Sequence, residues 1–125
     1  VINCATEIKN KSEIISKSVP KIVCDNNNFL MYASRAPIPS SKNKTEKAYK
    51  QVCIYCFNKE ELDIFSSEKK TKNEFLEDIE ILRFLDKGIK VKILNISNSS
   101  IAVDYKEDIT KVEKILKKEL KWNKR

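Results

Sequence analysis

The segments EFLEDIEILRFLDK (Glu74 to Lys87) and IKVKILNI (Ile89 to Ile96), separated by Gly88, decide the fold class of this chain. In the first, Leu76, Ile79, Leu82 and Leu85 recur at helical spacing, so one continuous helix is predicted. Gly88 follows where a left-handed C-terminal cap is expected. The second alternates Ile89, Val91 and Ile93 against Lys90 and Lys92, the pattern of a strand with one wet face. Beyond it, Ile101 to Val103 reads as a short strand. Lys106 to Leu120 reads as a closing helix with Ile109, Val112, Leu116 and Leu120 inward. A helix–strand–strand–helix run predicts an α/β layered fold.

Working towards the N-terminus, Tyr49 to Phe57 is a β-branched and aromatic run that reads as a buried strand, followed by a short helix over Lys59 to Phe65. Lys21 to Cys24 and Phe29 to Ala33 read as a hairpin turning at Asp25 to Asn28. Ala36-Pro37-Ile38-Pro39 continues neither element, because proline fixes φ and restricts its predecessor. Ser40 to Lys47 is a polar loop, Val1 to Asn3 the tail of a strand, and Ile8 to Ser18 is polar and undecided.

The 125 residues allow one domain with a proper core. No stretch approaches the ~20 apolar residues of a membrane helix. The opening residues lack the basic start, apolar run and cleavage site of a signal peptide. A start at Val1 inside an apolar run leads us to expect a piece of a longer polypeptide. The net charge of +7 is spread over lysines interleaved with glutamates, gathering only at Lys117, Lys118, Lys121, Lys124 and Arg125. Without aromatic residues alternating along a basic stripe, this reads as a solvated surface rather than a nucleic-acid platform.

Cys4, Cys24, Cys53 and Cys56 include one CxxC, on the strand, where residues three apart face opposite sides. With no second pair and no histidine, four buried thiols are expected rather than zinc, and the cytoplasm is the default compartment. The lack of histidine also removes Ser–His and Cys–His nucleophiles, and a single glycine at a helix end leaves no glycine-rich phosphate loop. Carboxylates, arginine, lysine and tyrosine remain for any chemistry. Asp104 with Glu107 fits an N-terminal capping box, yet a carboxylate at the end of a strand also fits a Mg²⁺ ligand. Glu80 and Arg83 are i,i+3 neighbours able to pair on a helix surface, near Glu77 and Asp78. Arg35, on a proline-stiffened turn, suits an anion clamp or an ordinary surface turn.

MYASRAPIP (Met31 to Pro39), KQVCIYCF (Lys50 to Phe57), EDIEILRFLDKG (Glu77 to Gly88) and SSIAVDYKEDITKV (Ser99 to Val112) together resemble the CMP-Kdo synthetase family, the 3-deoxy-manno-octulosonate cytidylyltransferases. The likeness spans about Pro20 to Leu116. It implies the C-terminal half of a Rossmann-like nucleotidyltransferase fold, a layered sheet with flanking helices, over residues 1–125. The CTP-binding N-terminal half would then be absent. It further implies a homodimer, with CTP and a 2-keto sugar acid as substrates, giving a CMP-sugar and pyrophosphate with Mg²⁺.

By the same resemblance Asp104 matches the aspartate completing the metal site, and Arg35 a segment near the sugar pocket and dimer interface. Tyr55 matches a tyrosine on the pocket strand and Glu80 a glutamate contacting sugar hydroxyls. Gln51 stands where many Kdo enzymes have histidine, Ile81 where they often have glutamine, and Tyr105 replaces a more usual threonine. The first two changes leave the sugar acid open between Kdo and a related nonulosonic acid. A non-catalytic binding or dimerisation module derived from the same fold is the alternative.

Overall fold

The strand placed centrally is one that sequence barely signals. In the computed structural model, which describes residues 1–40, 42, 47–67, 69–97, 103 and 106–122, β1 (Ile2–Glu7) lies between the long β4 (Tyr49–Cys56) and β5 (Lys92–Asn95). It is antiparallel to β4 and parallel to β5. β2 (Lys21–Cys24) and β3 (Leu30–Ser34) complete a five-stranded sheet in the order β3-β2-β4-β1-β5. A bridge from Phe29 to Lys92, with Leu30 N donating to Val91 O at 2.9 Å, brings the β3 and β5 ends together, so the sheet curls. β1 therefore extends well past the expected tail at Val1 to Asn3, while β5 is shorter than the expected strand from Ile89.

The hairpin forms as expected. The Asp25 carboxylate accepts the backbone N–H groups of Asn27 and Phe29, and Asn28 adopts φ 58°. Five helices are described: α1 (Lys11–Ile15), inside the stretch left undecided by sequence, α2 (Lys59–Ser67), α3 (Lys72–Glu77), α4 (Leu82–Asp86) and α5 (Lys106–Trp122).

The expected single helix from Glu74 to Lys87 is broken. α3 stops at Asp78, which takes the left-handed conformation at φ 52°, and α4 begins four residues later. The break has two causes. The Arg35 guanidinium takes the carbonyls of Glu77 and Asp78, which a continuing helix needs for its own ladder. The break also lets Ile79, Ile81, Leu82, Arg83 and Phe84 all turn inward, more than one face of a straight helix can bury. Leu76, expected inside, is 67% exposed. α4 ends as predicted: Gly88 N reaches Leu85 O and Ile89 N reaches Phe84 O, both at 2.9 Å, with Gly88 at φ 72°. Val91 and Ile93 face the core with Ala5, Ile22, Leu30 and Ala33, as their alternation predicts.

Arg83 is not on the helix surface beside Glu80. It is buried against Glu74, with Nε to Oε2 at 2.7 Å and Nη2 to Oε1 at 2.5 Å, and its Cζ lies 4.2 Å from the centre of the Phe65 ring. Two other expectations fail. Cys53 and Cys56 are exposed, and all four cysteines are free thiols. The exposure of Cys53 goes with an irregularity in β4 described below, whereas Cys56 is the last residue of that strand. Ile109 and Leu116 are 48% and 50% exposed, so α5 forms but does not sink its apolar side into this sheet. Ile101 and Ala102 of the expected short strand, with Asp104 and Tyr105, lie outside the described residues; Val103 is exposed and in no strand.

Burial alone would raise the pKa of Glu74, but hydrogen bonds from Arg83 and Thr71 N outweigh it and hold the carboxyl below its ordinary 4.5. A depressed folded value stabilises the fold above the unfolded value and ceases to do so as pH falls through the folded one. Stability of the intact protein should therefore fall on acidification below about pH 4.5. Glu74→Gln should cost about 3–5 kcal/mol at neutral pH, because it strands a buried guanidinium. It should also flatten that acid limb. Urea unfolding across pH measures both, and parallel acid limbs in the two proteins would contradict the assignment.

Candidate functional site

The site grows out of an irregularity in β4. Asn3 pairs with Tyr55 but Cys4 pairs with Val52, so Cys53 and Ile54 have no partner on β1 and bulge out. A regular strand would hold Gln51 and Tyr55 roughly 13 Å apart. With the bulge between them, Gln51 Nε2 donates to the Tyr55 hydroxyl at 3.1 Å. Gln51 is buried. Tyr55 is half-buried, at the end of an aromatic run in which its ring stacks on Phe57 at 5.9 Å and Phe57 on Phe84 at 5.4 Å. Burial pushes the phenol pKa well up, and the charges of Cys53 and Glu80 push it further. Tyr55 is therefore a neutral phenol at physiological pH. Since its oxygen accepts from Gln51, its proton is directed to an acceptor.

Glu80, exposed on the α3–α4 turn, acts on Tyr55 through its charge. The turn is held from below by Arg35. Its Nε donates to Glu77 O at 2.6 Å, Nη2 to Asp78 O at 2.8 Å and Nη1 to Lys17 O at 2.9 Å. The Glu77 carboxylate returns the contact, accepting Ser34 Oγ at 2.7 Å and Arg35 N at 2.9 Å. Beneath lies Lys21, fully buried, with Nζ donating to Ser16 O at 2.7 Å and Arg35 O at 2.5 Å. Burial lowers its pKa, Arg35 adds to that, and Glu77 opposes it.

The structure thus joins Gln51 to Tyr55 and leaves Glu80 close enough for its charge to act on the phenol, on a turn held by Arg35. Three of the five guanidinium N–H groups of Arg35 hold backbone carbonyls, so the arginine supports the turn that carries Glu80. Ile81 is 1% exposed and lies in the core, so it offers the site no polar group. Asp104 lies outside the described residues. Among the described residues no three His, Cys, Asp or Glu side chains group as a metal site. No described helix is long and apolar enough to cross a membrane. Sequence reading missed Asn3 and Lys21, and named Glu77 only as a neighbour of Glu80 and Arg83. The SRAP and EDIE stretches pointed to the right region, but nothing local marks Asn3 or Lys21 as buried.

No family model matches the chain. Curated relatives do. It is 36% identical to the 3-deoxy-manno-octulosonate cytidylyltransferase of Chloroherpeton thalassium, over 94% of this chain and 51% of that protein. It is 35% identical to the Chlamydia pneumoniae protein of the same name, over 85% of this chain and 42% of that one. An 8-amino-3,8-dideoxy-manno-octulosonate cytidylyltransferase of Shewanella baltica is 37% identical, over 88% of this chain and 45% of its own. A solved structure of CMP:2-keto-3-deoxy-manno-octonic acid synthetase complexed with CTP superposes with a TM-score of 0.83 at 25% identity. That match covers 94% of this chain and 49% of the other. The chain spans about half the length of the relatives it matches, and the expected resemblance and α/β fold are both found.

Arg35→Lys should destabilise the protein by about 1–3 kcal/mol, since an ammonium cannot fork across three carbonyls. Chemical denaturation measures this. An unchanged midpoint would show that the guanidinium does not hold the turn.

Proposed function

We propose that this chain is the C-terminal, sugar-acid-binding half of a cytidylyltransferase that joins CTP to a 2-keto sugar acid of the Kdo type and releases pyrophosphate. The observation that carries this reading is the Gln51–Tyr55 contact, with the Glu80 charge acting on the phenol, in a chain that superposes on half of a CTP-bound synthetase. Three kinds of hydrogen-bonding group meet there: an amide, a neutral phenol and an exposed carboxylate. They suit a polyhydroxylated ligand, with the carboxylate accepting from sugar hydroxyls and the phenol proton donating. Such a site rejects analogues that leave its groups unpaired.

In the proposed reaction the anomeric hydroxyl of the sugar acid attacks the α-phosphate of CTP in line, and this half of the protein contributes by orientation. Gln51 and Tyr55 fix one side of the sugar while Glu80 fixes another. The turn behind Glu80 is held by Arg35, which limits how far the carboxylate can drift. A Mg²⁺ ion, if held by Asp104, would supply charge stabilisation on the phosphates. Mg²⁺ commonly takes only one or two carboxylates beside phosphates and waters, which suits Asp104 as this chain's single ligand. The remaining ligands would come from the other half and from CTP.

A homodimer and a cytoplasmic location belong to the same proposal. The exposed Phe75, Leu76, Ile109 and Leu116 support burial against further protein, either the other half or a second copy.

The full-length protein should release pyrophosphate from CTP only when a Kdo-type acid is present, and an enzyme-coupled phosphate assay reads this. Asp104→Asn should lower turnover by at least about 100-fold, and the isolated 125-residue chain should show none. Near-normal turnover in Asp104→Asn would remove the metal assignment. Inactivity of the full-length protein with every sugar acid tried would favour a non-catalytic module.

A further inference from the structure

The geometry points to Asn3 as a positioning residue for the sugar-acid pocket: its side-chain amide holds open the β4 bulge that brings Gln51 to Tyr55. Nδ2 donates to Val52 O at 3.0 Å and to Ile54 O at 2.9 Å, the carbonyls on either side of Cys53. With Cys53 and Ile54 unpaired on β1, the bulge disrupts the ladder that would otherwise serve these carbonyls. One planar NH₂ group serves both, and its two hydrogens set the spacing between the carbonyls.

Asn3 is completely buried, and its Oδ1 has no hydrogen-bond partner. A buried acceptor left unpaired is unfavourable, and an apolar residue of similar volume would avoid it. A position that breaks a local packing rule and gains two well-made donor contacts is one where the contacts themselves are needed. Their effect reaches the site directly. If β4 relaxed to a regular strand, the backbone from Gln51 to Tyr55 would straighten to roughly 13 Å and the two side chains would leave the orientation in which amide and phenol now meet. The Asn3 amide hydrogen-bonds only the Val52 and Ile54 carbonyls and not the side chains of Gln51, Tyr55 or Glu80, so it acts through the bulge.

The test rests on the pocket reading above and separates the two. In the full-length protein, Asn3→Asp keeps the shape but replaces both donors with a carboxylate facing two carbonyl oxygens. Asn3→Ser, which keeps one donor, serves if the first variant does not fold. Expected are a rise in the sugar-acid KM on the order of 10- to 100-fold for Asn3→Asp, a smaller rise for Asn3→Ser, and an unchanged KM for CTP. A crystal structure of the variant should show the register shift between Asn3 and Cys4 gone or moved, and Gln51 apart from Tyr55.

The inference is overturned if the bulge and the Gln51–Tyr55 contact persist in the variant. It is also overturned if the CTP KM rises in step, as a general distortion would make it, or if only the apparent kcat falls, as loss of folded protein would make it. Gln51→Ala is the control. If it raises the sugar-acid KM while Asn3→Asp does not, the inference on Asn3 fails and the pocket reading stands. If neither moves that KM although the bulge has collapsed, the pocket reading fails and takes the inference with it.

Discussion

A guanidinium pressed against three backbone carbonyls determines where the second half of this chain can go. Arg35 leaves β3 and takes the free carbonyls of Glu77 and Asp78, with Lys17 O on its other side. Once those carbonyls are occupied, the helix cannot run on, and Asp78 accepts a left-handed conformation that costs a non-glycine residue roughly 1–2 kcal/mol. The change of direction delivers Ile79, Ile81, Leu82 and Phe84 to the core and leaves Glu80 outside. The buried Arg83–Glu74 pair then fastens α4 to α3, and Arg83 reaches the Phe65 carbonyl of α2 at 2.5 Å. Three segments distant in sequence meet because two arginines have more donors than any one partner can use.

Much of this was legible in sequence, and the failures share a cause. The hairpin, the Gly88 cap and the burial of Val91 and Ile93 follow from local rules: an Asx turn, a glycine after a periodic run, and alternation. The broken helix does not. Residues 74–87 have a helical period, and nothing among them announces that Arg35, some forty residues away, will take their carbonyls. The same holds for β1. INCATE has too short and polar a pattern to read as a central strand, and it becomes one by pairing with β4 and β5.

The candidate site divides along the same line. Gln51, Tyr55 and Glu80 were reached through resemblance; the first two touch, and the charge of Glu80 acts on the phenol. Asn3, which shapes the strand beneath them, was not reached. Its role depends on a register shift that exists only once two strands are paired. Arg35 was reached as a candidate anion clamp, and most of its donors hold the turn that carries Glu80.

A structure of the full-length protein crystallised with a Kdo-type sugar acid decides most directly whether this half carries the substrate pocket. The expected result is density for the sugar within hydrogen-bonding distance of Gln51, the Tyr55 hydroxyl and the Glu80 carboxylate, on the side of the sheet where the β4 bulge opens. A sugar acid bound wholly within the rest of the protein, with these three side chains untouched, would contradict it.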